Sequence, residues 1–413
     1  MAIWRGSAKL KAVVVRDDAA DASRVLSRLG YAVLAIGAPV GVVLNSVALF
    51  VVFPIGIALI ALAAALEAEG GFIDRAFNLC AAPAFLALIA AFAWATLTIA
   101  WTPYPVAAGQ HALKLWLLLA GTVLAIAAPR ENARATDLYL FPIGVVLLMA
   151  TMAIKGLSDV LAGHGDDGGL AKGGIALAVL LFPALGGLTA RGRNGYARLL
   201  LILALGFAYI DGYAPLTIAL FAGYLVLSFA LSDLGRTARE LAWAGAALIA
   251  LAPLVPALAP TVTAWIFQVK LATLPPPYAT LSVAADIFTH DKLRLITGHG
   301  LETVVWGVRA GILPTHTPRA LVFAVWYELG IVGALIAAAG VFFVFRDLIH
   351  APPRLAPYKA AWLTAIVALA FFHVDFNDMT TWTLVAVGFI SADIATRSQY
   401  RTTRPSAANL AHL

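Results

Sequence analysis

Residues 31–66 run without one charged side chain, and only Asn45 and Ser46, between Pro39 and Pro54, interrupt their apolar character. At about 20 residues per crossing, such a run is long enough to pass through a lipid bilayer twice. Comparable runs recur to the end of the chain. Their length rules out the alternating segments of about 10 residues that build an outer-membrane barrel, so each crossing must satisfy its own backbone as a helix. The chain is 62% hydrophobic and 12% charged, against about a quarter charged in soluble domains, which excludes a sizeable soluble domain. The expected fold class is therefore all-α, a polytopic membrane protein.

Apolar windows predict about 12 transmembrane helices, near residues 30–44, 47–66, 77–100, 110–128, 138–154, 173–190, 197–210, 213–231, 241–259, 319–345, 358–374 and 379–395. Tight reversals are expected at Asn45-Ser46 and at Asp211-Gly212, either of which could instead mark a broken or re-entrant helix. With an even number of spans and the N-terminus inside, twenty of the 28 Lys and Arg lie on cytoplasmic segments and seven on external ones, with Lys114 inside a span. That bias predicts both termini in the cytoplasm. The organisation reads as a cytoplasmic segment 1–28, helices one to nine over 29–259, a large external (periplasmic) loop 260–318, helices ten to twelve over 319–395, and a cytoplasmic tail 396–413. Residues 1–28 hold no apolar run suited to a signal peptide.

Several function classes drop out. A single cysteine, Cys80, excludes an internal disulfide and a thiolate metal centre. The net charge of +6 is scattered through short loops rather than gathered in a stripe, so nucleic acid is not an expected partner. The segment His373-Val374-Asp375-Phe376-Asn377-Asp378 has ligand-type residues on one short loop without a second cluster, and helix-end hydrogen bonding explains it better than a metal. Neither a metal nor a cofactor is expected.

Chemistry concentrates on one side. The external loop carries His290, His299 and His316 among Lys270, Lys292, Arg294, Arg309 and Arg319. Gly298-His299-Gly300 precedes an amphipathic stretch, where backbone amides could approach an anion, although a simple glycine turn accounts for it equally. Thr317-Pro318 is a good cap and first-turn pair, which predicts that the tenth span starts there with His316 at its mouth, placed to act as a general base. Glu328 would then lie about 16 Å deeper on the same face, either on a proton or cation path or in a paired structural role. His111 and Lys114, three residues apart, share a helical face and could hold a phosphate. Asp211 and Asp375 fall on the same side. Trp265, Phe267 and Tyr278 could stack on sugars or lie at the interface.

These features together resemble the O-antigen ligase and polymerase superfamily of bacterial membrane glycosyltransferases: about 12 spans, a large external loop, a G-x-G element at Gly298 and Gly300, then a histidine and a helix reading Glu328-Leu329-Gly330 with Gly333. Here His316 stands twelve residues before Glu328 and Arg319 nine before it, one turn away from the family's usual spacing. The resemblance implies a metal-independent inverting enzyme of the bacterial inner membrane. It would take a glycan from a polyprenyl (undecaprenyl) diphosphate carrier and pass it to lipid A core oligosaccharide or to a nascent glycan. His316 would activate the acceptor hydroxyl, with Arg319, Arg309, Arg294, Lys114 and His111 on the diphosphate and Glu328, Gly298, Gly300, Asp375 and Asp211 in support. The rival expectation is an ion-coupled transporter or lipid-linked oligosaccharide flippase, which would need polar groups along a central path.

Overall fold

The computed structural model describes residues 19, 21–67, 71–128, 139–162, 168–254, 294–315, 317–372 and 378–399, and only the backbone of residue 211 and residues 397–399. Every regular element among them is helical, and no strand occurs among the described residues. In chain order the helices are α1 (Asp21–Leu44), α2 (Ala48–Glu67), α3 (Phe72–Cys80), α4 (Pro83–Leu97), α5 (Pro105–Ala127), α6 (Leu140–Ala162), α7 (Gly169–Ala190), α8 (Asn194–Asp211), α9 (Ala214–Ser232) and α10 (Leu234–Ala250). Then follow α11 (Arg294–Thr297), α12 (Thr303–Arg309), α13 (Leu321–Arg346), α14 (Ala356–Phe372) and α15 (Met379–Gln399). Nine of the described helices are long and apolar enough to cross a membrane, and Asn194–Ile210 and Ala356–Phe372 are shorter apolar helices. The chain is a polytopic, all-helical membrane protein.

Both doubtful reversals are real turns. Asn45 leaves the helical region at φ −159°, its Oδ1 accepts from the Val47 amide, and α2 starts at Ala48. Gly212 closes α8 in the left-handed conformation at φ 68°, which glycine adopts without a Cβ clash, and Pro215 opens α9 behind it.

Other boundaries move for local reasons. The span expected at 77–100 is two helices, because Ala81-Ala82 breaks the chain before Pro83 starts α4. The span expected at 241–259 is displaced to α10, whose start is fixed by the Asp233 carboxylate accepting from the Arg236 amide. That start brings Arg236, Arg239 and Glu240 into the helix.

The helix α7 sits at the centre of the bundle, with 89% of its most apolar window buried. Packed against α6, α8, α14 and α15, it anchors the larger hydrophobic cluster, which includes Phe182, Leu185, Trp362 and Leu384. A second cluster is built by α4, α5, α12 and the first part of α13, with Phe92, Leu115, Leu301, Val304 and Trp326. The candidate site lies in this second cluster.

Interhelix contacts join ends that the predicted alternation places on one side. Arg75 in α3 donates to Ala127 O at the end of α5 at 2.9 Å, and Arg191 after α7 lies over Tyr139 before α6. At the opposite ends, the turn after α4 meets the segment leading into α12.

Candidate functional site

The tenth predicted span is not a continuous helix. Thr317 and Pro318 do not start it, since the Thr317 hydroxyl turns back to donate to Pro314 O at 2.6 Å and helical geometry begins at Leu321. Nine residues on, Gly330 takes φ 67° and ψ −165°, which splits α13 into two helices inside the apolar region. Broken backbone at membrane depth is tolerated only where protein satisfies it. Here the non-helical segment Gly298–Glu302 does so.

The pairing is continuous. The His299 amide donates to Tyr327 O and the Gly300 amide to Glu328 O, each at 2.9 Å, while Trp94 Nε1 donates to Leu329 O at 2.8 Å. On the other side of the segment, Trp101 Nε1 donates to Gly298 O at 3.2 Å and the Thr102 hydroxyl to Leu301 O at 2.8 Å. The Leu301 amide in turn donates to Thr98 Oγ1 at 3.1 Å. The segment is thus held between the turn after α4 and the break in α13.

Glycine is required at both contacts. Gly298 has φ 77°, and a Cβ there would overlap the Glu328 carbonyl; Gly300 has φ 99°, and its Cβ would fall 2.7 Å from the Thr102 Cβ. Gly330 faces the Gly298 amide and the Ile296 carbonyl, with 2.5 Å left for a Cβ. The G-x-G element and the E-L-G element, 28 residues apart, therefore meet backbone to backbone.

Glu328 has no exposed surface, and its carboxylate accepts from two amides, Glu302 N at 3.0 Å and Val304 N at 2.9 Å. It caps α12 from another helix, a job that Glu302, at the N-cap position with φ 71°, does not do for itself. Both Glu328 oxygens are thus engaged by backbone amides at the start of α12. Instead, Glu302 turns its own carboxylate to His111 on α5, with Oε1 3.2 Å from Nδ1 and both side chains under 10% exposed. Glu302 is the only non-glycine with positive φ among the described residues, a conformation that costs on the order of 1–2 kcal/mol. His299 stacks on Tyr327 at 4.0 Å between ring centres and directs Nδ1 to Tyr327 O at 3.0 Å.

The structure thus joins Gly298, Gly300, Glu328 and His111 in one seam. Lys114, three residues on from His111 in α5, is exposed while His111 is buried. Arg294, Arg309 and Arg319 are exposed on the segments flanking the seam, with the Arg309 guanidinium 5.0 Å above the Trp306 ring. The candidate base His316 lies outside the described residues, as do Asp375, His373, His290, Lys270, Lys292, Trp265, Phe267 and Tyr278, and so does the side chain of Asp211. Asp378 is a helix cap, accepting from the Thr380 amide and the Thr381 hydroxyl. Among the described residues no three metal-ligating side chains gather.

Sequence reasoning missed Glu302, Thr98, Thr102, Trp94 and Trp101. Glu302 carried a signal, being a carboxylate in an otherwise apolar stretch directly after the G-x-G element. The threonines carried none, because their partners are backbone atoms some 200 positions away. Comparison with models of known protein families, with characterised proteins and with solved structures finds no match to this chain.

Proposed function

We propose that this chain is a metal-independent membrane glycosyltransferase. It moves a glycan from a polyprenyl diphosphate carrier to an acceptor hydroxyl at the periplasmic face of the bacterial inner membrane, as an O-antigen ligase or a polysaccharide polymerase. Twelve spans with both termini cytoplasmic complete this reading, with residues 260–318 outside. The observation that carries it is the seam itself: Gly298-His299-Gly300 and Glu328-Leu329-Gly330, which carry the sequence resemblance, lie against one another. Exposed arginines flank that seam, as a leaving diphosphate requires, because guanidinium groups stabilise the charge that builds on it. The role of Glu328 as a cap removes one support for an ion path through the tenth span.

His316 is the group to which the resemblance points for activating the acceptor. The test is to express wild type, His316→Ala or nothing in cells and to resolve lipopolysaccharide and exopolysaccharide on gels. Uncapped lipid A core with accumulating carrier-linked glycan supports the ligase form. Shortened chains with attachment retained support the polymerase form. Identical glycans in the presence and absence of the wild-type protein would sink both.

A further inference from the structure

We infer that His111 and Glu302 form a proton-handling dyad of this transfer site, with His111 the catalytic residue that receives the acceptor hydroxyl's proton and Glu302 the residue that positions it. The inference rests on the glycosyl-transfer reading above and gives its proton step to residues on α5 and before α12. Three observations carry it.

The first is the contact. Glu302 Oε1 stands 3.2 Å from His111 Nδ1. A carboxylate on Nδ1 keeps the proton of a neutral imidazole there, so the lone pair resides on Nε2. A ring in that state is an acceptor, and it suits a hydroxyl rather than the diphosphate for which the sequence suggested His111. The second is strain. Glu302 holds a left-handed backbone that a non-glycine residue avoids, and it keeps it while Glu328 takes its amide and His111 its carboxylate. Outliers held by their surroundings in this way cluster at functional sites. The third is burial. Ionisable side chains removed from water are costly, and here an imidazole and a carboxylate share one apolar cluster with Leu301 and Val304. Exclusion of water serves a transferase, since water is the competing acceptor.

The step balances without a further reactant. Nε2 takes the hydroxyl proton as the acceptor oxygen forms a bond to the anomeric carbon. The bond from that carbon to the carrier oxygen breaks, and its electron pair leaves on the diphosphate. The imidazolium is stabilised by the Glu302 carboxylate until its proton passes to water with product release.

The experiment uses the full chain in proteoliposomes with a polyprenyl diphosphate-linked oligosaccharide and a glycolipid acceptor, comparing wild type, Glu302→Gln, Glu302→Asp, His111→Gln and His316→Ala. Initial rates give kcat and KM, and melting curves report folding. Glu302→Gln keeps an oxygen for Nδ1–H but loses the charge, so we expect kcat to fall about 100-fold or more at unchanged donor KM and near-normal melting. His111→Gln should fall at least as far, and Glu302→Asp should recover part of the rate. Folded His111→Gln and Glu302→Gln proteins with wild-type kcat would overturn the dyad, above all if His316→Ala alone is inactive. No product from the wild type would instead remove the transferase reading on which the dyad stands.

Discussion

The Glu328 carboxylate accepts the Glu302 amide at 3.0 Å, so a fully buried acid on one half of a broken helix fixes the backbone of another acid 26 residues earlier. Its second oxygen takes the Val304 amide at 2.9 Å. Glu328→Ala leaves two buried amides without an acceptor, at about 1–3 kcal/mol each. Glu328→Gln is milder, because one oxygen still accepts while the new NH2 opposes the other amide. Melting in detergent should rank wild type above Gln and Gln above Ala. Equal melting of all three would mean that the cap is not formed.

The three glycines of the seam separate from other glycines by what surrounds them. Gly298→Ala and Gly330→Ala set a Cβ against backbone atoms at positive φ, where neither partner can withdraw, and both should reduce the yield of folded protein severely. Gly109 and Gly206 lie within helices with nothing within 4 Å of a built Cβ. Gly109→Ala and Gly206→Ala should therefore be neutral or stabilising by up to about 1 kcal/mol. Size-exclusion yield and melting measure the contrast.

Trp94 supplies the donor that the break in α13 needs, through Nε1 to Leu329 O at 2.8 Å. Trp94→Phe keeps most of the ring's packing and removes that donor. The freed carbonyl should cost about 1–3 kcal/mol. Hydrogen exchange should rise locally at residues 329–333, and unchanged protection there would place the support of the break elsewhere.

How far the fold could be read follows from the range of the forces involved. The apolar runs and the turns at Asn45 and Gly212 are local, and each is legible in a few residues. The break at Gly330 was not, because Leu-Gly-Ile within an apolar helix reads as close packing until the Gly298 backbone is known to lie against it. The shift of α10 had a visible signal in Asp233 that apolar windows overrode. At the site, His111, Gly298, Gly300 and Glu328 could be picked out as ionisable or glycine residues in unusual surroundings. Their arrangement could not, since it depends on contacts between positions about 30 apart, as for Gly300 and Glu328, and about 190 apart, as for His111 and Glu302.

The Arg75–Ala127 contact and the Glu302–His111 contact lie at opposite ends of α5, so the loops attached to them should face opposite sides of the membrane. In a Cys80→Ser background, Ala310→Cys should react with an impermeant maleimide in intact spheroplasts. Asn194→Cys, exposed at the start of α8, should react only after permeabilisation. Both sites reacting alike would break the alternation from which the twelve-span reading is built.

The Arg309 guanidinium rests 5.0 Å above the Trp306 ring, and Trp306 itself lies 6.0 Å from Tyr104 between ring centres. Arg309 is exposed, so its removal should leave melting within about 0.5 kcal/mol of wild type. Its value to the proposed reaction is different, because a planar guanidinium fixed by stacking presents two parallel donors to a phosphate, which a lysine cannot. Arg309→Lys should therefore bind the diphosphate-linked donor several-fold more weakly although the charge is kept, and Arg309→Ala more weakly still. Trp306→Leu, which frees the guanidinium, should fall with the lysine variant rather than with the wild type. Donor titrations in proteoliposomes read the order directly. If Arg309→Lys binds the donor as wild type does, Arg309 acts as a mobile point charge, and the stacked geometry has no part in recognition.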